Sequence, residues 1–305
     1  MSDFIEAGIQ FQFYDPHCIE VASSYDPRFR RNEKHFAKQA ASVTRMRELL
    51  GIEKPDWFIE AEDEARDFVG SHALQNDFAI TLLPEKDWKD AVSNDSTKAI
   101  SYSTTGDIFV NERLITQTHE QAGLPQVGGT LVHELIHSTA TIDTVTIRKR
   151  SDESYTTSYR SGFGITRGRQ RFGAFYEEAL ATTMDGWFRR TRDNPLAPPV
   201  DTNMSPSKTL PTHFQNVTAK VSGPDGHALE LIAWGLEKRS IMPASTFIGL
   251  ALASRRKVTQ ALALRGFAVA VDCLQPGLYR RLRSVTYGAD AWNQARDDVY
   301  GIVTS

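Results

Sequence analysis

The sequence predicts an α+β protein, with a small mixed sheet and a histidine-bearing helix in its N-terminal part and a mainly helical C-terminal lobe. Three observations carry this expectation. Short β-rich runs bounded by turn residues recur between residues 56 and 111. A helical pattern with two histidines four positions apart follows at 130–140. Beyond residue 227 the chain reads as successive helical segments rich in Ala and Leu. Three regions result. Residues 1–140 hold the sheet and the histidine helix, 141–191 an inserted basic hairpin and a glutamate-bearing helix, and 192–305 a proline-rich loop and the helical lobe.

A chain of 305 residues can bury a large core, in one large domain or two packed lobes. Its 40% hydrophobic and 24% charged residues are ordinary for a globular protein. A net charge of -3 argues against a general nucleic-acid binder, so no nucleic-acid partner is expected. The N-terminus has no basic segment followed by an apolar one, so no secretory signal is read. No apolar run approaches the ~20 residues that span a bilayer. Cys18 and Cys273, the 2 cysteines, form neither a disulfide framework nor a metal-type spacing. These features lead us to expect a cytoplasmic protein without a membrane partner.

In chain order, residues 1–30 read as irregular, with Asp15-Pro16 and Asp26-Pro27 as turn signals. A helix is expected over 31–50, ended by Gly51. Asp56 to Glu60 reads as a strand and the acidic run Glu60 to Asp67 as a short helix. Phe78 to Leu83 is β-rich and stops at Pro84, so it reads as a strand. Glu85 to Val92 suits a helical turn around Trp88. A hairpin follows: Ala99 to Thr105, a turn at Gly106-Asp107, then Ile108 to Asn111. The alternation of Ile100 with Tyr102, and of Ile108 with Val110, fits half-buried strands. Such a strand, just before the histidine helix, offers an edge where an extended substrate can pair. Residues 117–129 read as a loop, with His119 a bystander.

The run from Thr130 to His137 contains His133-Glu134-Leu135-Ile136-His137, the HExxH pattern of a zinc site on a helix. At 3.6 residues per turn the two histidines lie about 40° apart around the axis and one turn apart along it. Both imidazoles can then reach one tetrahedral zinc ion at roughly 2.0–2.1 Å. Glu134 projects about 100° away from His133, too far round for a ligand but suited to hydrogen-bond a water on the open side of the metal. Leu131, Val132 and Leu135 fall on the opposite face and can bury the helix.

Residues 141–172 are rich in Thr, Ser, Arg and Tyr, and Ser158 to Thr166 reads as a strand with a glycine kink. Arg148, Lys149, Arg150, Arg160, Arg167, Arg169 and Arg171 make this the most basic stretch. It reads either as a solvated hairpin or as a flap that contacts an acidic or C-terminal carboxylate group. Phe175 to Phe188 forms a helix with two faces. Tyr176, Leu180, Met184 and Trp187 gather on the core side; Glu178, Ala181, Thr182 and Asp185 gather on the other. Small residues at 181 and 182 allow another helix to approach, and Glu178 is then the carboxylate that completes a zinc shell. Asp185, two turns along the same face, is placed to accept a ring N–H of His133 or His137. Glu177 points toward the edge of the apolar face and ranks behind Glu178. Prolines cluster over 192–226, and helices are expected at 227–239, 243–257, 257–272, 276–284 and 289–302.

His133-Glu134-Leu135-Ile136-His137 followed by Glu178-Ala179-Leu180-Ala181 resembles the HExxH…E(A/G)xA arrangement of the gluzincin, thermolysin-like, zinc metallopeptidases. The order of a helix, a sheet ending in a hairpin and then the active helix also resembles the zincin N-terminal lobe. The resemblance covers about residues 98–140 and 174–188. It departs from the pattern in the longer basic hairpin, and in an acid seven positions after Glu178, at Asp185, where the family has it at four and this chain has Thr182. It implies Zn²⁺ held by His133, His137 and Glu178, with Glu134 as the catalytic general base for attack on a peptide carbonyl. An oxyanion donor is expected among Tyr159, Arg160, His213, His227 and Tyr287, and spacing selects none of them. The expected partner is a peptide or protein substrate, with the helical lobe closing a cleft or docking a protein partner. Two alternatives stay open: a zinc-bearing zincin fold that binds or regulates without peptidase activity, and a metal-free helical protein.

Overall fold

The computed structural model describes residues 10–13, 17–23, 48–49, 51–72, 74, 77–92, 96–102, 107–140, 142–148, 154–167, 170–193, 227–256, 259–286 and 289–305. The chain is α+β. It divides into two compact units: Met1–Ser161 with Thr166–Gln170, and Gly162–Ile165 with Arg171–Ser305. The helix expected over 31–50 and the proline-rich loop lie almost wholly outside the described residues.

The first unit contains a three-stranded sheet of order β3-β5-β4, built from β3 (Ile80–Leu83), β4 (Ala99–Tyr102) and β5 (Asp107–Asn111). The expected hairpin is there, with Ala99 opposite Val110 and Tyr102 opposite Asp107. β3 pairs parallel to β5, Ile80 opposite Ile108, which makes β5 the central strand. Its burial therefore differs from the half-buried alternation expected. Ile108, Phe109, Val110 and Asn111 are all buried, because a central strand can be covered on both faces. A short helix, Glu85–Ala91, follows Pro84 and turns Trp88 into a cluster with Leu83, Tyr102 and Phe109.

Helix α1 (Asp56–Ser71) replaces the strand expected at 56–60 and absorbs the short acidic helix expected after it. The reason is visible in the spacing. Phe58, Ala61, Glu62, Ala65 and Val69 are its buried residues, a 3.6-residue stripe that outweighs the β propensity of Trp57, Phe58 and Ile59. Pro55 sits at the N-cap in extended conformation, and its carbonyl accepts from the N–H of Phe58 at 2.8 Å and of Ile59 at 3.1 Å. Glu62 is only 9% exposed, and it is neutralised by Lys54 at 2.5 Å and Arg66 at 2.8 Å. Arg66 also donates to the Phe78 carbonyl at 2.7 Å, tying the helix to the approach of β3. The helix of 85–91 is α2, and α3 (Glu112–Ser138) follows β5 directly. α1 packs on α3, and α3 packs on β4 and β5.

A second, six-stranded sheet has the order β1-β2-β6-β7-β8-β9. Its strands are β1 (Gln10–Phe13), β2 (His17–Ser23), β6 (Ile142–Arg148), β7 (Ser154–Ser161), β8 (Gly164–Arg167) and β9 (Gln170–Phe172). β1 and β2 correct the irregular reading of residues 1–30. Phe11 and Phe13, like Ile19 and Val21, alternate with polar residues at the strand period of two. β2 runs parallel to β6, His17 opposite Ile142, and β6 pairs antiparallel with β7. The glycine kink expected within 158–166 separates β7 from β8.

The second unit is mainly helical: α4 (Ala174–Asp193), α5 (His227–Lys238), α6 (Ala244–Ala253), α7 (Gln260–Leu274), α8 (Leu278–Arg283) and α9 (Ala289–Thr304). These agree with the helices expected from periodicity to within a few residues. α5 packs against α4, α6, α7 and α9. Phe267 of α7 centres an aromatic cluster, with ring centroids 5.0 Å from Phe163, 5.2 Å from Tyr176 and 4.9 Å from Phe247. The Tyr176 hydroxyl donates to the Tyr279 carbonyl at 3.3 Å, and burial pushes its phenol well above the ordinary tyrosine range. Helix ends are closed by side chains from neighbours. Glu237 accepts from the Ala244 N–H at 3.1 Å, where Pro243 offers no side-chain cap. Arg239 donates to the carbonyls of Leu274 at 3.0 Å and Ile302 at 2.6 Å. Among the described residues, no helix is long and apolar enough to cross a membrane.

Trp88→Ala is expected to lower unfolding stability by about 3–5 kcal/mol in urea titrations, since it empties a fully buried indole site. A loss below about 1 kcal/mol would contradict this packing.

Candidate metal centre

The helix that carries the histidines begins where β5 ends. Asn111 closes the strand and caps α3, its side-chain oxygen accepting from the Leu114 N–H at 3.3 Å. The loop expected over 117–129 is instead helical, interrupted at one point. Gly123 adopts φ 72 and ψ -173, and Pro125 follows inside the span. A positive φ ends one helical segment, and a proline in the first turn of the next has no helical N–H to lose. The glycine and proline that read as loop signals therefore mark a junction between two helical segments. In the first, the His119 ring stacks on Trp57 of α1, with centroids 4.3 Å apart and planes 6° apart. His119 is thus a packing residue in the α1–α3 contact.

The second segment carries the motif. Leu131, Val132, Leu135 and Ile136 are fully buried, which fixes the rotation of the helix and leaves His133, Glu134 and His137 half-buried on another side. The Nε2 atoms of His133 and His137 are 3.1 Å apart, with ring centroids 4.8 Å apart and planes at 77°. Both rings therefore direct the same nitrogen to one point, as the four-residue spacing requires.

α4 supplies the carboxylates. Tyr176, Leu180 and Met184 are fully buried, as the two-faced reading expects, while Trp187 is half-buried and Ala181 is buried as well. Glu178 is half-buried. Its carboxylate oxygen, with one ring nitrogen from each of His133 and His137, belongs to a group of atoms all within 4.8 Å of one another. Two imidazoles and a carboxylate are a donor set that could hold a metal ion. A tetrahedral zinc shell with bonds of 2.0–2.1 Å separates its ligand atoms by about 3.4 Å, so the histidine nitrogens already stand near that distance. Asp185, expected to orient a histidine ring, is 7% exposed and accepts from Arg189 Nε at 2.6 Å, with Arg189 Nη2 as its second donor.

The sequence reading missed one buried carboxylate. Glu177, ranked behind Glu178, is an internal ion-pair partner of Arg255. Nothing local announces this pair, because its members are 78 positions apart and Arg255 reads as one of a basic run with Arg256 and Lys257. Of the proposed oxyanion donors, His213 and Tyr287 lie outside the described residues, as do the side chains of Tyr159, Arg160 and His227.

Gly123→Ala, measured by urea unfolding, is expected to destabilise the protein by about 1–2 kcal/mol, because alanine must then adopt a left-handed backbone conformation. No loss would mean that the two segments of α3 are not separated by that conformation.

Comparison of the chain with protein-family models, with curated proteins and with solved structures finds no match.

Proposed function

We propose that this chain is a zinc-dependent hydrolase of the gluzincin type, a metallopeptidase acting on peptides or a protein. The observation that carries the reading is the convergence of His133, His137 and Glu178, whose donor atoms lie within 4.8 Å of one another. Two of these residues come from a motif with a defined spacing, and the third comes from a helix reached only after β6 to β9. A solvated helix face would account for the histidine spacing but not for the added carboxylate. In this reading the first unit corresponds to a zincin-like lobe, supported by its small sheet, its hairpin and the helix that follows.

Zinc, when bound, would lower the pKa of a water toward about 7 and polarise a substrate carbonyl. The remaining chemistry belongs to side chains. His133, His137 and Glu178 would hold the ion through two imidazole nitrogens and a carboxylate oxygen. Glu134 takes a proton from water as the water oxygen bonds to the peptide carbonyl carbon, and then returns it to the leaving nitrogen as the C–N bond breaks. Asp185, held by Arg189, acts in this scheme as a carboxylate behind the ligands. The free, exposed thiol of Cys273 suits a reducing compartment, which supports a cytoplasmic setting.

Glu134→Gln separates catalysis from metal binding. Zinc content is expected to stay at the wild-type level, while hydrolysis of a quenched-fluorescence peptide library falls by about 10²–10⁴-fold, as for loss of a general base. Undiminished hydrolysis by the variant would contradict the role of Glu134. A zinc-loaded wild type that cleaves neither peptides nor proteins would favour a binding or regulatory role.

A further inference from the structure

Next to Glu178 stands a carboxylate withdrawn from solvent. The Glu177 side chain is 1% exposed and that of its partner Arg255 is 2% exposed. Oε1 of Glu177 accepts from Arg255 Nη2 at 2.5 Å. Oε2 accepts from Arg255 Nε at 3.1 Å and from the Phe163 N–H at 3.0 Å. Three segments of the second unit therefore meet at one carboxylate: the first turn of α4, the turn at Gly162-Phe163, and the residue just past the C-cap of α6. The close approach excludes larger residues. Gly162 has φ +54, and a Cβ there would stand 2.2 Å from Oε2 of Glu177.

Removing both charges from water costs several kcal/mol per ion, and well-packed apolar side chains often fill such a site with equal or greater stability. What an apolar pair cannot supply is direction. A guanidinium fork fixes the plane of the carboxylate it binds, and with it the rotation of the first turn of α4. Two other bonds act on the same turn. The Gly173 N–H donates to the Arg283 carbonyl at 2.8 Å, and the Tyr176 hydroxyl donates to the Tyr279 carbonyl. Glu178 lies about 100° round the helix from Glu177, so any rotation of this turn moves its carboxylate.

We infer that the buried Glu177–Arg255 pair is a positioning device that aims Glu178 at the metal centre. The inference rests on the reading of Glu178 as a zinc ligand. The same helix carries a natural control. Arg190 pairs with Glu230 of α5 at 2.8 Å, and the Glu230 side chain is only 4% exposed. That pair lies roughly 18 Å along α4 from Glu178. It should contribute to stability without directing the ligand.

The test compares Glu177→Gln and Glu230→Gln, each scored for stability in urea, for zinc affinity by competition with a chromophoric chelator, and for the absorption spectrum of the cobalt(II) form. Glu177→Gln is expected to weaken zinc by about 10-fold, the lower end for losing a group that orients a ligand, and to alter the cobalt bands. Glu230→Gln should keep zinc affinity within about 2-fold, as expected for distant sites, even where it lowers stability as much. Where Glu177→Gln does not fold, Arg255→Lys decides, because it keeps the charge and loses the fork; it too should weaken zinc. Wild-type affinity and spectrum in the Glu177 or Arg255 variant overturn the inference, and so does an equal loss of zinc in Glu230→Gln. Wild-type protein that takes up no zinc overturns the ligand reading, and the positioning role with it.

Discussion

One α-helix can aim two imidazoles at a point, but it cannot bring a third donor there. Residues four apart share a face, and the next residue on that face is a further turn away. A three-ligand centre built on His133 and His137 therefore depends on a second helix being held at the right rotation. In the proposed centre that helix is α4, and the constraint falls on its first turn. That turn carries the buried Glu177–Arg255 pair, the glycine pressed against it, and the Tyr176 hydroxyl bonded across to Tyr279.

The two helices are held by different physics. Around the motif, α3 is set by apolar burial: Leu131, Val132, Leu135 and Ile136 are all fully buried. Its direction is set earlier, by the Asn111 cap and the break at Gly123. α4 also buries an apolar stripe, but its N-terminal turn adds charge-assisted bonds that are directional and short-ranged. A hydrophobic stripe alone tolerates sliding and small rotations, whereas a bidentate pair does not. The proposed ligand thus follows directly after a residue held by the Arg255 fork and the Phe163 N–H.

Much of this was legible in the sequence where the signal is periodic and local. The hairpin of β4 and β5, the turn around Trp88, the two faces of α4 and the helices beyond residue 227 all follow from spacing. His133, His137 and Glu178, whose donor atoms lie within 4.8 Å of one another, each stand out as part of a pattern on a single helix. What failed was arbitration between competing local signals. Trp57, Phe58 and Ile59 suggested a strand, and only the longer stripe to Val69 shows the helix. Gly123 and Pro125 suggested a loop, although a C-terminal glycine and an N-terminal proline also join two helices. The Glu177–Arg255 pair was not legible at all, because no local pattern encodes a contact across 78 positions. Burial of β5 on both faces likewise depends on which strand becomes its neighbour.

The proposed zinc site comprises His133, His137 and Glu178. Elemental analysis of purified wild type and Glu178→Ala, prepared side by side, tests it most directly. The account predicts about one zinc per wild-type chain, as in a site with three protein ligands, and its loss from the variant. Wild-type protein without zinc even after reconstitution, or a variant that retains it, would contradict the account.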